Sequence, residues 1–156
     1  MTGTTSERLP HVLDDKMCFA LYAASRAVTA LYRPLLDEMG LTYPQFLVLL
    51  VLGDGPEEGV AVKELGAALH LDYGTMTPLL KRLEANGLVR RQRRTDDERT
   101  VQITLTEKGA GLRERSDGIF ASAGDAMALE PEEFARTLAT LRRLTANVTA
   151  YANRRD

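Results

Sequence analysis

The chain has 156 residues, a net charge of −2 and a single cysteine, Cys18. This length suits one domain, and the lone cysteine excludes an intrachain disulfide and any CxxC metal or redox motif. No apolar run is long enough to span a membrane, and residues 1–8 lack the apolar segment of a signal peptide, so a cytoplasmic protein is expected. No cofactor is expected, and His11 and His70 form no metal-ligand set with Cys18.

The charges are distributed unevenly along the chain. Residues 1–70 contain five Lys/Arg and nine Asp/Glu, residues 71–108 contain eight and six, and residues 109–156 contain seven of each. Clustering of cations by itself fits a phosphate-binding surface and an ordinary solvated face about equally. Seven of the eight basic residues of the middle segment form a cluster: Lys81, Arg82, Arg90, Arg91, Arg93, Arg94 and Arg99.

The N-terminal part of the chain predicts one long amphipathic helix from about Asp14 to Met39. Apolar residues recur there at steps of three and four, which produces a single apolar stripe. Pro34 lies inside this segment, so a kink or a break is expected, and Gly40 is expected to end the helix. The stripe consists of Leu13, Met17, Leu21, Ala24, Val28, Leu31 and Leu35.

Three further helices are predicted between residues 42 and 86. Thr42 is expected to cap the first of them, with Gln45 at capping-box spacing, and the apolar run 46–52 indicates that this helix is buried. Two short helices follow, at about Val62 to His70 and Tyr73 to Asn86. Their close succession, with a polar and basic free face on the second, is typical of a helix-turn-helix.

The period then changes from that of a helix to that of a strand. Residues 88–94 and 100–105 are predicted strands joined by the polar turn 95–99, and a hairpin directly after a helix-turn-helix is a wing. Thr106 is expected to cap a fifth helix that runs to about Met127, and Pro131 to start a sixth. The sixth carries a stripe of Phe134, Leu138, Leu141, Leu144, Val148 and Tyr151.

These elements predict a mainly α protein with a small β-hairpin wing, an α+β winged helix-turn-helix. The wing and the second helix of the motif present their cations towards one surface, which favours double-stranded DNA over a solvated face. We expect one domain over residues 1–156, with the DNA-binding region at 42–106. Residues 12–40 and 107–154 are surplus to that region's core and are expected to be the dimerisation helices of a homodimer on a pseudo-palindromic operator.

The sequence resembles the MarR family of winged-helix repressors over nearly the whole chain. The general match consists of VKEL at 62–65, TPLLKRLE at 77–84, NGLV at 86–89 and the segment 97–106. More narrowly, the chain is similar to the one-cysteine class of the organic hydroperoxide-sensing repressors, OhrR. That similarity lies in CFALYAASR at 18–26, YRPLLD at 32–37 and LTYPQ at 41–45.

The resemblance implies a role for the cysteine and three tyrosines. Cys18 would be the redox sensor, Tyr32 and Tyr43 would reach its sulfur from the partner subunit, and Tyr22 would lie near it. Oxidation by an organic hydroperoxide would shift the dimer and release DNA. A second cysteine, which would close an intersubunit disulfide in other members, is absent here.

The resemblance also implies DNA contacts. Arg99 at the wing tip would enter a minor groove, braced by Asp97. Tyr73 departs from the family, which commonly has a smaller polar residue at that position. Together with the basic residues, the expected DNA-binding set is Asp72, Tyr73, Gly74, Thr75, Thr77, Pro78, Lys81, Arg82, Arg91, Arg93, Arg94, Asp97 and Arg99.

From its own residues, Cys18 is by default a small buried hydrophobe, and the tyrosines fit ordinary packing with hydrogen bonds. Asp14 and Asp15 are its acidic neighbours, so a reactive thiolate would need tertiary contacts to stabilise it. Without a second cysteine, a sulfenic acid would react with a low-molecular-weight thiol or a backbone nitrogen, or oxidise further.

Two other functions are alternatives. The first is a MarR-like regulator that is released by a non-covalent ligand, such as a phenolic acid, at the dimer interface. The second is a one-cysteine thiol peroxidase. The residues before Cys18 lack the Thr and Pro placement expected of a peroxiredoxin, and a wing would be unexplained, so no enzymatic activity is expected.

Overall fold

The computed structural model describes residues 12–97 and 99–154. His11 and the N-terminal residues that bear on a signal peptide lie outside these ranges. The described elements, in chain order, are α1 (Met17–Asp37), α2 (Tyr43–Gly53), β1 (Val60–Ala61), α3 (Val62–Leu69), α4 (Tyr73–Ala85), β2 (Val89–Arg93), β3 (Val101–Leu105), α5 (Glu107–Arg115), α6 (Asp117–Met127) and α7 (Pro131–Ala152). The chain divides into two compact units, one ending at Asp117 and the other beginning at Gly118. The mainly helical fold with a β wing is confirmed.

Helix α1 differs from the prediction at its first residue and at Pro34. It starts at Met17 instead of Asp14, and it continues through Pro34 to Asp37. The expected break at Pro34 is therefore wrong. Proline removes the hydrogen bond to the carbonyl of Ala30, but both residues are exposed, so water can satisfy that carbonyl.

The end of α1 and the start of α2 follow the local chemistry of the sequence. Gly40 has a φ of +66°, and the N–H of Leu41 donates to the carbonyl of Leu36 over 3.0 Å, which closes α1 as predicted. The Thr42 hydroxyl accepts from the N–H of Gln45, whose side chain accepts from the N–H of Thr42. The capping box is thus confirmed. The apolar run of α2 is largely buried, at Phe46, Val48, Leu49 and Leu52.

The wing belongs to a three-stranded antiparallel sheet of order β1-β3-β2. The central strand, β3, pairs Ile103 with Val60 on one side and with Arg91 on the other, and Ile103 is fully buried. Strand β1 was missed by sequence because two residues, Val60 and Ala61, are too few to show alternation. Its pairing attaches the wing to the helical core.

The predicted fifth helix is two helices. Helix α5 ends at Arg115, and α6 begins at Asp117. Between them, the N–H and the hydroxyl of the buried Ser116 both donate to the carbonyl of Arg113, over 3.1 and 2.5 Å. A serine that bonds to the backbone three residues earlier competes with the helical ladder, and this explains the break.

Helix α7 starts at Pro131 as predicted and has no buried residue. Its apolar stripe is exposed at Phe134, Leu138, Leu141, Val148 and Tyr151. In the ranges 12–97 and 99–154, no helix is both long and apolar enough to cross a membrane.

Candidate functional site

Helix α4 presents the polar face that the sequence predicted. The Asp72 carboxylate accepts from the N–H of Thr75 over 2.8 Å and caps the helix. Hydrogen bonds from the backbone and side chain of Thr75 hold the pKa of Asp72 below its usual range, so the cap is ionised at neutral pH. Burial of Met76, Leu80 and Leu83 anchors the inner face. Lys81 and Arg82 are exposed on the outer face.

Most polar groups at the start of α4 form hydrogen bonds within the helix. The Thr77 hydroxyl donates to the carbonyl of Tyr73 over 3.0 Å. Gly74 has no side chain, and Pro78, one turn further on, is exposed without a donor. The Tyr73 ring is 73% exposed, so it is the largest side chain that this turn offers to a partner.

Two of the wing arginines form ion pairs with carboxylates, which was not predicted from the sequence. Arg91 donates through Nε to Glu84 on α4 over 2.8 Å. Arg94 binds Asp96 through two hydrogen bonds of 2.8 and 2.7 Å. Hydrogen bonding to Arg94 also holds the pKa of Asp96 below its usual range. The basic face, defined as Lys81, Arg82, Arg91, Arg93, Arg94 and Arg99, is therefore less positive than the sequence count suggests.

At the wing tip, Asp97 braces the loop through its backbone. Its carboxylate accepts from the Arg99 N–H over 3.1 Å and from the Thr100 hydroxyl over 2.7 Å. Both hydrogen bonds lower the pKa of Asp97, and the bond from Thr100 has the larger effect. The Arg99 guanidinium is left exposed at the tip. This arrangement agrees with a brace at Asp97, although the contact is to the Arg99 backbone and not to its side chain.

Glu84 and Asp96 are the residues that the sequence interpretation missed. Asp96 lies two positions from Arg94, so its pairing could have been inferred from proximity. Glu84 is seven residues from Arg91 and on a different element, so only the packing of α4 against β2 brings them together. Both carboxylates reduce the charge that the basic face offers to a phosphate.

The cysteine lies at the opposite end of α1 from the buried tyrosine. Cys18, the second residue of α1, is exposed, and its thiol has no hydrogen-bond partner within the part of the chain that the structure describes. Tyr22 follows one turn later on the same face of the helix and is also exposed. Its hydroxyl accepts from Arg26 over 2.9 Å, and the Arg26 guanidinium lies 5.6 Å from the ring centroid.

The other two predicted pocket tyrosines lie together. Tyr32 is buried, and its ring centroid is 5.0 Å from that of Tyr43 at the start of α2, with Phe46 6.0 Å from Tyr32. Burial raises the pKa of both phenols, and for Tyr32 the neighbouring Tyr43 raises it further. Because the pKa of an unperturbed tyrosine is about 10, both hydroxyls stay protonated at neutral pH and can donate hydrogen bonds.

Within a single chain, the cysteine is too far from Tyr32 for a contact. Cys18 and Tyr32 lie in the same helix, Met17–Asp37. Their separation of about 14 residues corresponds to about 21 Å along the axis. A contact between the Cys18 thiol and the Tyr32 hydroxyl is therefore possible only between two chains. In the ranges 12–97 and 99–154, no group of three or more His, Cys, Asp or Glu side chains could hold a metal ion.

Comparison with known proteins finds regulators of transcription. Residues 30–115 match the family described as Transcriptional regulator SarA/Rot. The chain is 51% identical over 104 residues to the organic hydroperoxide resistance transcriptional regulator of Bacillus subtilis, across 67% of this chain and 69% of that protein. It is 58% identical over 108 residues to the transcriptional regulator TtmR of Methylorubrum extorquens, across 69% of this chain. That match spans only 54% of TtmR, about half its length.

A solved structure of a DNA complex also matches. The overoxidised form of AbfR bound to DNA superimposes with a TM-score of 0.68 at 32% identity, over 87% of this chain and 94% of that one. The reduced form of AbfR, likewise bound to DNA, matches with the same score and identity.

Proposed function

Because this chain belongs to the winged-helix transcriptional regulators of the MarR and SarA/Rot type, which bind DNA, we propose that it is a cytoplasmic repressor that senses organic hydroperoxides through Cys18. The chain is a DNA-binding protein and not an enzyme, so the proposal concerns what it senses and how the signal reaches the DNA. The identity of 51% with a regulator named for organic hydroperoxide resistance supports this effector class.

The observation that carries the proposal is the position of Cys18 and Tyr32 in one helix. The Cys18 thiol at the exposed start of α1 has no hydrogen-bond donor among the described residues of its own chain, whereas the phenols at the α1–α2 junction are protonated donors. A second chain that brings its Tyr32 and Tyr43 to Cys18 would supply those donors. The sensor is therefore proposed to be assembled from two subunits.

Exposed apolar faces support a homodimer. Helix α1 exposes Met17, Phe19, Leu31 and Leu35 along its length. Helix α7, within the C-terminal unit, buries none of its residues. Large apolar faces of this kind mark interaction sites. We assign residues 12–40 and 107–154 to the two-fold interface, and sedimentation at micromolar concentration tests this, because a monomer would contradict it.

The proposed chemistry is confined to the sulfur. The Cys18 thiolate attacks the terminal oxygen of the hydroperoxide, the O–O bond breaks, and the leaving alkoxide takes a proton to become an alcohol. The sulfur loses two electrons and becomes a sulfenic acid. The chain has no second cysteine, so a low-molecular-weight thiol then condenses with the sulfenic acid, releasing water and forming a mixed disulfide.

Oxidation must then lower the affinity for DNA. A dimer reads two half-sites, so a change in the spacing or angle of its two α4 helices weakens binding to a pseudo-palindromic operator. We assign the phosphate and base contacts to the basic face and to the first turn of α4. A coupling of ~1–3 kcal/mol between sensor and operator would be typical.

The test is release of an operator duplex by cumene hydroperoxide. The wild-type chain is expected to dissociate, whereas Cys18→Ser is expected to bind the same duplex and to remain bound after treatment. Glu57→Gln, at an exposed loop carboxylate outside the sensor and the basic face, is the control and should still respond. Release of Cys18→Ser by the peroxide would refute the sensor.

Intact mass spectrometry tests the redox route separately. Peroxide alone should add oxygen to the monomer mass, and peroxide with a small thiol should add that thiol; a covalent dimer would contradict this scheme. The alternative, a non-covalent ligand, predicts that a phenolic acid releases wild type and Cys18→Ser alike.

A further inference from the structure

We propose that Tyr73 is a specificity-determining residue, whose ring contacts the 5-methyl group of a thymine in the major groove of each half-site. This inference rests on the DNA-binding function and adds which base the chain selects and which side chain selects it.

The exposure of Tyr73 sets it apart from the rest of the DNA-binding region. Among the described residues between 40 and 117, it is the one large apolar or aromatic side chain that is exposed, with 73% of its surface free. Elsewhere, the exposed large apolar residues lie at the N-terminal end, on α1 and in the C-terminal unit, where a second subunit is proposed to cover them. Tyr73 has no such explanation.

The position of Tyr73 is where base contacts are made. It is the first residue of α4, the second helix of the helix-turn-helix, and the N-terminal residues of that helix contact base edges. Its neighbours in the turn are already engaged. The carboxylate of Asp72 accepts from Thr75, and the hydroxyl of Thr77 donates to the Tyr73 carbonyl. Among the residues of this turn, the Tyr73 ring offers the largest exposed surface for contact with a base.

The surroundings of Tyr73 suit a duplex. The ring borders a shallow cavity of about 290 Å³ that is also lined by Val62, Lys63 and Met76. Lys63 is an exposed cation at this rim and can bind a phosphate beside the base that the ring contacts. An aromatic ring cannot read the donor and acceptor pattern of a base edge, but it packs well against the thymine methyl group, which no other base has.

The experiment uses thymine-to-uracil substitution, which removes only the methyl group. A duplex is first selected from a random library with the full-length wild-type chain. Each thymine of the half-site is then replaced symmetrically by uracil, and affinities are measured for wild type, Tyr73→Ala and Tyr73→Phe. Burying one methyl group corresponds to about a four-fold change in affinity, and two half-sites to about 15-fold.

The expected result is a loss of about 15-fold for wild type and Tyr73→Phe at one symmetric pair of thymines. Tyr73→Ala should bind thymine and uracil duplexes equally at that pair, with an unchanged melting temperature. The proposal fails if Tyr73→Ala loses as much affinity as wild type when thymine is replaced by uracil, or if Tyr73→Phe no longer prefers thymine. It also fails if no uracil substitution lowers the affinity of wild type. None of these outcomes would contradict the DNA-binding function. A wild-type chain that selects no duplex would overturn the DNA-binding function and the proposal with it.

Discussion

Glu84 should weaken DNA binding because it holds Arg91, one of the cations of the basic face. The two groups lie 2.8 Å apart, and their side chains are 47% and 32% exposed, so this is a partly screened surface pair. Such pairs contribute ~0.2–1 kcal/mol each. If Arg91 moves from Glu84 to a phosphate, the ion pair is lost and the remaining carboxylate lies near the negative backbone of the duplex.

Glu84→Gln removes the charge and keeps the size of the side chain. In a dimer, loss of both pairs favours binding by ~0.4–2 kcal/mol, or roughly a 2- to 30-fold gain in affinity. Each freed Arg91 that contacts a phosphate also steepens the plot of log affinity against log salt by ~0.9, hence by ~1.8 for the dimer. The affinity gain should therefore be larger at low salt.

The assay is fluorescence anisotropy of a labelled operator duplex between about 50 and 200 mM salt. Glu57→Gln is the matched control, because it makes the same change in net charge at an exposed loop carboxylate outside the basic face. If Glu84→Gln binds no tighter than this control and its salt slope is unchanged, Arg91 does not reach a phosphate and the argument fails.

Two further predictions concern the packing of α5 against Leu88 and the binding of DNA by the wing tip. A Cβ at Gly109 would lie 2.1 Å from the carbonyl oxygen of Leu88, so Gly109→Ala should lower the melting temperature by several degrees, about 2–4 °C for each of the ~1–3 kcal/mol of overpacking. Gly111→Ala on the same helix meets nothing within 4 Å and should leave stability equal or higher by up to ~1 kcal/mol in a thermal melt; equal melting of the two variants would contradict the packing. Arg99→Ala should weaken operator binding and flatten its salt dependence without changing the melting temperature, and an unchanged salt slope would rule out a phosphate contact.

Local chemistry accounts for the parts of the fold that were predicted well. The capping box of Thr42 and Gln45, the Asp72 cap and the left-handed Gly40 each involve atoms within a few residues of one another. Such interactions depend on residue type and spacing, so a sequence reports them directly. The same holds for the apolar run of α2, whose hydrophobicity on every face requires burial.

Predictions failed where a local preference met an environment that the sequence does not show. Pro34 did not break α1, because the carbonyl that lost its partner is exposed to water. Ser116 did break the predicted fifth helix, because its hydroxyl and N–H both turn back to Arg113. Many helices contain serine in their interior, so the residue type does not predict a break. Only the backbone geometry shows that Ser116 lies between two helices.

The sequence by itself determined the kind of protein: the helix-turn-helix with its wing, the cluster of cations and the single cysteine, Cys18. Only the tertiary structure decided which groups meet. It pairs Arg91 with Glu84 and brings Tyr32 into contact with Tyr43. The reason is physical. Helical and strand periods are local properties of a chain, whereas contacts between elements depend on how those elements pack, which no spacing along the sequence encodes.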